Sequence, residues 1–510
     1  MAKVVFKKDK KDQLMLFPLD LGSLIPDNHI VRVVDRVIDD LALSPLFATY
    51  KGGGASSYSP RMLLKVITYG YIERIYTSRR IAKALKENIY FIWLGGMSRP
   101  DFTTINNFRS KRLKEAVDDV FGSVVEIMIK GGYIKAENLF VDGTKIEANA
   151  SKYSYIWKKN VERQGDMIKS RVKKLLTHIE DLQREEDKEY GFHDLEEFEG
   201  KISAEELEKT VQEINRKLSE RGKSKEISKE VTKLKNEIPK LKKNQKQKDK
   251  LGGRNSCSKT DNDATFFRMK GDHQGMAPLK PGYNVQIATD SQYIVGYGVY
   301  QKAADTSVFI PFMDKVIDQL KKKPNNVTAD AGYGSEENYE YITRSGIGNY
   351  IKYNNYNYEK TRKYKTRTFL SDHFEYDQQQ DQYKCPAGQI LDYALTKSTR
   401  TENGYVSERM VYRSRSCEGC RYREECNRGS KDRTIEVSPR LIEYKNIVRK
   451  NLESEEGIRL RSQRGVDVES VFGQIKHNNQ FGRFYSRGLK NVSTEWGLIS
   501  IAHNIKKMAN

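Results

Sequence analysis

The chain has 510 residues, more than one typical domain holds and enough for at least one large buried core. Hydrophobic residues make up 37% and charged residues 31%, which predicts a globular centre that carries long solvated helices or linkers. The formal net charge of +21 favours a polyanionic partner, because side chains that neutralise phosphates release bound counterions. A basic surface without a binding role is the alternative.

Neither a membrane-spanning nor a secreted protein fits this composition. No apolar run approaches the roughly 20 residues that cross a bilayer, and the N-terminus lacks the apolar core of a signal peptide. Five cysteines in so long a chain do not resemble a secreted disulfide scaffold. We therefore expect a cytoplasmic protein.

Residues 1–130 are predicted to be mostly helical. Ser59-Pro60 is a typical helix start, because proline is favoured at the first helical position. Thr77 and Ser78 are candidate caps of the next helix, RRIAKALKEN, and a third helix, FTTINNFRSKRL, is dense in Asn, Arg and Lys. This arrangement can enter a DNA groove, so residues 1–130 form a candidate DNA-binding domain; a plain packing domain is the alternative.

Residues 137–155 change character and form a candidate first catalytic strand segment. Leu139, Phe140 and Val141 make a short apolar strand that is expected to end at Asp142 and Gly143. A carboxylate at the end of a buried strand is well placed for a functional site. An Asp-Gly turn between two strands is the alternative interpretation.

Residues 156–255 are predicted to be a helical insertion. Three apolar runs repeat at heptad spacing, which is typical of helices that pack on each other as in a coiled coil. Pro239 is expected to kink the last helix, and KLKKNQKQKDKLGGR is expected to be a basic, flexible exit, either a solvated linker or a phosphate-contacting arm. The runs are Ile168, Val172, Leu175, Ile179 and Leu182; Leu207, Val211, Ile214 and Leu218; and Val231, Leu234, Ile238 and Leu241.

Residues 260–355 show the pattern of an α/β core. YNVQIATD and YIVGYGVYQ alternate as two strands joined by a turn at Asp290-Ser291-Gln292. A helix, a strand that ends in Asp330, a second helix capped by Ser335 and a further strand, IGNYIKY, follow. This order predicts a mixed sheet covered by helices.

Residues 356–435 form a predicted Cys-rich insertion. Cys385, Cys417, Cys420 and Cys426 fall as C-x31-C-x2-C-x5-C, and Cys417-Glu-Gly-Cys420 is like a zinc-knuckle turn. Four thiolates in an intracellular protein indicate a closed structural zinc site. Reduced cysteines that pack as small apolar side chains are the alternative.

Residues 438–510 are predicted to return to helix and to carry the last candidate carboxylate. Glu469 lies on a helix expected from about Val466 to Lys476. Seven residues at about 100° each place Glu469 and Lys476 almost on one helical face. The same helix can thus present a carboxylate and, two turns later, an ammonium group.

Asp142, Asp330 and Glu469 together suggest metal-dependent phosphodiester chemistry. Two divalent ions can activate an attacking oxygen and stabilise a leaving oxygen, and magnesium or manganese prefers carboxylate ligands. Three carboxylates from distant positions are sufficient if the fold brings them together. The rivals are weaker: Asp290 is a turn residue, Asp305 follows a strand, and Asp467 points to a different helical face from Glu469.

With these segments the chain resembles insertion-sequence transposases of the DDE type, most closely the eleven-eighty-two group. The resemblance covers nearly the whole chain. FVDGTKIEANAS resembles the strand with the first Asp, TADAGYGS the segment with the second, and VESVFGQIK followed by GRFYSRGL the helix with the Glu. In that superfamily an Arg often precedes the Glu by four positions; here Gly465 stands there, and Arg464 stands one residue earlier.

The resemblance implies an α/β fold with an RNase H-like mixed sheet, an N-terminal helical domain, a coiled-coil-like insertion and a Cys-rich insertion. It implies that Asp142, Asp330 and Glu469 hold two Mg²⁺ or Mn²⁺ ions and that double-stranded DNA is the partner. The DNA-binding candidates are Lys476, Arg464, Arg483 and Arg487.

The implied activity is cleavage at the ends of the element followed by strand transfer into target DNA. Two ends must be held together for that, so a homodimer or higher assembly is expected. The alternatives are an RNase H-like nuclease that does not join and an inactive, DNA-binding derivative.

Overall fold

The computed structural model of the chain describes residues 20–50, 57–190, 202–221, 224–269 and 277–509. Its helices are α1 Ile30–Asp39, α2 Ser44–Ala48, α3 Pro60–Ile72, α4 Ser78–Glu87, α5 Ile89–Leu94, α6 Phe102–Asn107, α7 Lys114–Lys130, α8 Lys158–Tyr190, α9 Ala204–Arg221, α10 Lys225–Leu251, α11 Phe309–Leu320, α12 Glu336–Arg344, α13 Tyr356–Glu359, α14 Arg362–Lys365, α15 Arg423–Cys426, α16 Pro439–Glu453, α17 Glu455–Arg464, α18 Ser470–Gly473 and α19 Leu489–Met508.

The strands form three sheets, of six, five and two strands. They are β1 Asn138–Glu147, β2 Tyr155–Trp157, β3 Ser256–Ser258, β4 Thr265–Arg268, β5 Leu279–Asp290, β6 Tyr293–Tyr300, β7 Asn326–Ala329, β8 Gly348–Ile351, β9 Glu375–Asp377, β10 Gln382–Lys384, β11 Ile390–Arg400, β12 Val406–Ser414 and β13 Thr434–Val437.

The N-terminal helices begin where the sequence predicted. The Ser59 hydroxyl caps α3 by accepting a hydrogen bond from the Met62 amide, and Thr77 caps α4 in the same way. Two arginines of the basic segment that was predicted as a possible DNA reader point inward. Arg109 donates to the Tyr76 carbonyl oxygen at 3.0 Å, and Arg112 donates to a backbone carbonyl of the chain. Residues 1–19 of this predicted domain lie outside the described residues.

The central sheet is mixed, as the sequence predicted. Its order is β4-β5-β1-β7-β8, with β6 also paired to β5. β1 runs antiparallel to β5 and parallel to β7, and β7 runs parallel to β8. Helices α7, α11, α12 and α19 bury apolar side chains in the same core as the sheet. The chain is therefore a mixed α/β protein.

Strand β1 is longer than predicted. Pairing with β5 continues through Asp142 and Gly143 to Glu147, so the expected strand end at Asp142 is wrong, and no Asp-Gly turn forms there. Pairing with β7 ends at Val141, and the continued pairing with β5 keeps the backbone extended past Asp142. The predicted turn between β5 and β6 is present: Ser291 and Gln292 have φ values of +55° and +64°, typical of a tight hairpin.

Helices α8, α9 and α10 form a separate arm, which we call the helical arm. Their heptad side chains are packed against each other within one chain, around a core that includes Ile168, Val172, Val211, Val231 and Leu234. The predicted flexible basic exit is wrong, because α10 continues to Leu251 and ends only at Gly252, whose φ is +53°. Leu241, Asn244 and Leu251 keep the buried face of α10 continuous through this lysine-rich stretch.

The Cys-rich segment folds around its own sheet. Strands β9 to β13 lie in the order β13-β12-β11-β10-β9 and cover a small core of Phe374, Leu391, Tyr412 and Ile435. The C-terminal helices α16 to α19 confirm the predicted return to helix. Within the described ranges, no helix is both long and apolar enough to cross a membrane.

Candidate active site

Three polar residues stand side by side at the carboxyl ends of three neighbouring strands of the central sheet, β1, β7 and β8. The parallel register pairs Val141 with Ala329 and Ala329 with Ile351. The residues that come next in the chain after Val141, Ala329 and Ile351 are Asp142, Asp330 and Lys352. Carboxyl ends of parallel strands are a common place for functional groups in α/β sheets. The first two predicted carboxylates are thus neighbours on adjacent strands.

Backbone amides fix how these two carboxylates point. The Gly143 amide donates to Asp142 Oδ1 at 2.8 Å, and the Gly332 amide donates to Asp330 Oδ1 at 2.9 Å. The second oxygen of each carboxylate faces Arg464, whose Nη2 lies 3.3 Å from Asp142 Oδ2 and 3.9 Å from Asp330 Oδ2. One guanidinium therefore contacts both aspartates.

Glu469 joins the same cluster. Arg464 Nη1 lies 3.8 Å from Glu469 Oε1, so a single arginine touches all three predicted carboxylates. Side-chain exposure rises from 18% at Asp142 through 47% at Asp330 to 68% at Glu469, while Arg464 is only 12% exposed. The cluster thus extends from the sheet outward to solvent, with the arginine at its inner side.

The helix that carries Glu469 is not a regular α-helix. The helical run begins at Glu455, not near Val466 as predicted, and contains π turns over Gly465–Glu469 and Gln474–Asn478. Arg464 and Glu469 are five residues apart, which would turn them about 140° from each other on an α-helix. In a π turn, hydrogen bonds join residues five apart, so both side chains reach roughly the same face. The π turn therefore accommodates the one residue by which the Arg464–Glu469 spacing exceeds the usual four positions.

Lys476 lies within the second π turn, so the helical geometry assumed for it in the sequence argument does not hold. Its Nζ donates to the Thr144 hydroxyl and contacts the Lys145 carbonyl oxygen at 3.4 Å. Thr144 is two residues beyond Asp142 on β1, and side chains two apart share a strand face. Lys476 therefore lies beside the cluster, one step along the strand.

Arg483 and Arg487 lie farther from the carboxylates. Arg483 donates to the carbonyl oxygens of Ala148 at 3.1 Å and Ala150 at 3.3 Å, and Arg487 donates to that of Asn149 at 2.8 Å. Both guanidinium groups thus hold the segment that follows β1. The structure brings Arg464 and Lys476 to the carboxylates and places the other two predicted DNA-binding arginines at the far end of the strand.

A buried polar network that the sequence did not reveal lies beneath Asp142. The Tyr333 hydroxyl donates to Gln286, and Gln286 donates to Asp305 Oδ1 at 2.9 Å. Lys145 Nζ lies 3.2 Å from the same Asp305 oxygen. Burial raises the pKa of Tyr333 well above its usual value, and Asp142 and Asp305 raise it further. Tyr333 is therefore a neutral hydrogen-bond donor that supports the floor of the cluster.

Lys352 is a second residue that sequence reasoning missed. Burial lowers the pKa of Lys352, Arg464 and Arg461 lower it further, and Asp330 and Glu469 oppose the shift. Lys352 directly follows β8, as Asp330 directly follows β7. Only the parallel register of the two strands shows that they are neighbours.

The three carboxylates are hard oxygen donors of the kind that Mg²⁺ and Mn²⁺ prefer. In the part of the chain that the structure describes, no three His, Cys, Asp or Glu side chains are grouped closely enough to hold a metal ion as they stand. The donor set fits a divalent metal in its chemistry. In the structure, the guanidinium of Arg464 supplies the positive charge that balances the three carboxylates.

The four predicted zinc-binding cysteines line one cavity together with Phe369, Leu391 and Tyr422. Gly388, three residues after Cys385, and Gly419, directly before Cys420, have φ values of +84° and +69°, as tight knuckle turns require. Backbone amides of Gln389 and Arg433 donate to the sulfur atoms of Cys385 and Cys417, each at 3.3 Å. Burial raises the pKa of Cys426, and the other three cysteines raise it further.

The chain is thus a basic, mixed α/β protein whose carboxylates cluster at the carboxyl ends of neighbouring sheet strands. The model of a family described as Transposase DDE domain matches residues 384–509, and that of the Transposase domain (DUF772) matches residues 19–111. No curated protein matches the chain. Both matches support an insertion-sequence transposase of the DDE type, an enzyme that transposes DNA. The matched ranges include Glu469, whereas Asp142 and Asp330 lie outside them.

The family accounts for two general properties of the chain. DDE transposases act on DNA and depend on divalent metal ions, which agrees with the net charge of +21 and with the carboxylate donors.

Proposed function

We propose that this transposase cleaves the ends of its element and joins them to target DNA at the cluster of Asp142, Asp330 and Glu469. The observation that carries the proposal is the convergence of all three carboxylates on Arg464, within 3.3 to 3.9 Å, from three distant parts of the chain. The central sheet, with its β5–β6 hairpin and parallel β1, β7 and β8, supports an RNase H-like fold.

Each residue of the cluster has a proposed role. Asp142, Asp330 and Glu469 would hold two Mg²⁺ or Mn²⁺ ions. Such ions supply a more acidic attacking oxygen and charge stabilisation of the leaving oxygen. Lys476 would bind a phosphate next to the scissile bond. Arg464 would neutralise the carboxylates in the metal-free protein and then contact the DNA end.

The assembly and the chain divisions are also proposals. Transposition needs two ends held together, so we propose a homodimer or a higher assembly, although the heptads of the helical arm are packed within one chain. The domain divisions at residues 130, 155, 255, 355 and 435, and membership of the eleven-eighty-two group, are proposed on the resemblance stated above.

A joining assay tests the proposal against the nuclease alternative. The full chain is incubated with Mg²⁺ or Mn²⁺, a supercoiled target and a duplex that carries one end of its element with a free 3′-hydroxyl. We expect covalently joined product from this end and none from the same end with a 3′-deoxy terminus, because the hydroxyl is the attacking group. Cleavage of full-length ends without any joining would identify a nuclease and contradict the proposal.

We also propose that Cys385, Cys417, Cys420 and Cys426 hold a structural Zn²⁺. Their shared cavity, the two glycine turns and the amide donors to sulfur support it, because amide hydrogen bonds stabilise thiolates and four thiolates form a closed zinc site. The sulfur atoms would have to approach each other, since the described residues contain no group already at metal-binding distances. Reduced cysteines around a small apolar cavity are the alternative.

Elemental analysis of the purified chain tests the zinc proposal. We expect about one zinc per chain for wild type and for Cys257→Ser, and almost none for Cys417→Ser with Cys420→Ser, since structural sites need all four ligands. Cys257 is a matched control because it is buried in β3, away from the cavity. A wild-type chain that binds no zinc after purification with added Zn²⁺ would contradict the proposal.

A further inference from the structure

The helical arm divides its charge between its two halves. Its base consists of residues 158–174 of α8 and 240–250 of α10, which hold thirteen Lys or Arg and three Asp or Glu. The distal half, made of residues 175–190, α9 and residues 225–239, holds ten basic and fourteen acidic residues. Like charges this dense repel each other, although some members, such as Lys240 and Lys242, form ion pairs within the arm.

Three lysines at the base form one stripe, which we call the arm stripe: Lys243, Lys246 and Lys250. All three are exposed, and spacings of three and four residues place them on one face of α10. Within the described ranges, no carboxylate lies at ion-pair distance from any of them, whereas Lys233 and Lys242 are paired with Glu230 and Glu208. The arm stripe thus presents uncompensated positive charge.

The base of the arm is held rigidly. Asn244 Nδ2 donates to the Val161 carbonyl oxygen at 2.7 Å, which ties α10 to α8. Arg254, four residues after Lys250, donates to carbonyl oxygens of Lys250, Asn262 and Asp263 at 2.7 to 2.8 Å. Charges on so fixed a support lose less entropy when they bind a ligand than charges on a loose tail do.

The arm is connected to the strand that carries the first carboxylate of the cluster. β1 carries Asp142 and ends at Glu147, about 17 Å farther on at about 3.3 Å per residue. The segment that follows β1 leads to β2 and α8, and α10 leads back to β3, which pairs with β2. One turn of duplex DNA spans about 34 Å, so a duplex in the active site extends past this point.

We propose that the arm stripe is a docking surface for the phosphate backbone of double-stranded DNA that flanks the active site. Ammonium groups spaced along one helical face fit phosphates, and phosphate contacts by themselves carry no sequence preference. Docking rests on the proposed DNA-cleaving function of the neighbouring site. Binding is therefore measured in EDTA, so that a failure of docking and a failure of cleavage are separate results.

The test compares two triple variants of the full chain that remove the same charge from the same helix. Lys243→Gln, Lys246→Gln and Lys250→Gln alter the arm stripe. Lys225→Gln, Lys229→Gln and Lys235→Gln alter three exposed lysines in the distal half. The probe is a linear duplex of mixed sequence, roughly six helical turns long at about 10 base pairs per turn.

We expect the arm-stripe triple to weaken binding about tenfold or more near 0.1 M salt and to lower the slope of log K against log salt by about 2 to 3, since each lost phosphate contact removes about 0.9. The distal triple should match wild type. Equal effects of the two triples, or an unchanged slope for the arm-stripe triple, would overturn the proposal.

Lysine labelling of the wild-type chain gives a second measurement that needs no variant. Duplex DNA should shield Lys243, Lys246 and Lys250 from acetylation and leave Lys225, Lys229 and Lys235 reactive. Equal labelling of the two sets with and without DNA, or shielding by single-stranded DNA alone, would contradict double-stranded DNA as the partner.

Discussion

Replacing Glu469 with glutamine is expected to reduce cleavage of element ends at least about a thousandfold, because a lost metal ligand removes several kcal/mol of transition-state stabilisation and about 1.4 kcal/mol is tenfold in rate. The amide keeps the size of the side chain and removes its charge. Glu469 is 68% exposed, so the change should leave the fold and DNA binding intact. The measurement is single-turnover cleavage with Mg²⁺ and with Mn²⁺, alongside DNA binding in EDTA.

Glu456→Gln is the matched control. Glu456 is also a surface carboxylate on the helical run of Glu469, and it pairs only with Arg459, at 2.7 Å, among the described residues. It should retain wild-type cleavage. Asp142→Asn and Asp330→Asn should lose as much activity as Glu469→Gln, because each has one oxygen held by a backbone amide and the other turned to the shared centre. Undiminished cleavage by any of the three would remove that residue from the active site.

The sequence predicted most elements that position this site. Short apolar strands next to Asp142 and Asp330, the hairpin turn at Ser291 and Gln292, and the capped helices are local features, and local patterns report them. The sequence did not predict that β1 continues past Asp142, because the continuation depends on pairing with β5, which is distant in the chain; the pairing with β7 ends at Val141. The apolar run Leu139–Val141 does not show how far the neighbouring strand of the sheet continues.

The central contact of the site was outside the reach of sequence patterns. Arg464 stood one residue off the expected spacing, and only the π turn over Gly465–Glu469 brings it back to the carboxylate. Lys352 and Tyr333 were missed for a related reason: both reach the site through strand register and burial, which are tertiary properties. Arg483 and Arg487, which the sequence suggested as DNA-binding residues together with Arg464, donate to backbone carbonyl oxygens of the segment that follows β1.

Replacing Arg464 with glutamine is expected to make metal binding tighter while making the metal-free protein less stable. In the wild type a guanidinium lies among the carboxylates, so a metal ion must compete with it for the same oxygens. Its loss should strengthen Mn²⁺ binding by about tenfold, which corresponds to about 1.4 kcal/mol of removed competition. Titration of Mn²⁺ in the absence of DNA measures this without any turnover.

The expected loss of stability in Arg464→Gln follows from the burial of Arg464 and Asp142. Arg464 and Asp142 are 12% and 18% exposed, so loss of their contact should cost about 2 kcal/mol, below the 3–5 of a fully buried pair. The contacts to Asp330 and Glu469 add little, because those carboxylates are solvated and screened. The melting temperature in EDTA should therefore fall, and saturating Mn²⁺ should raise it more in the variant than in wild type.

Arg459→Gln separates this role from a general loss of charge. Arg459 lies on the same helix, and in the described structure its carboxylate contact is Glu456, outside the cluster. It should bind Mn²⁺ as wild type does and melt at nearly the same temperature in EDTA. If Arg464→Gln binds Mn²⁺ more weakly than wild type, the arginine supports the metal ligands instead of competing with metal. The proposal that Arg464 leaves the carboxylates to contact the DNA end would then be wrong, even if Glu469→Gln abolishes cleavage.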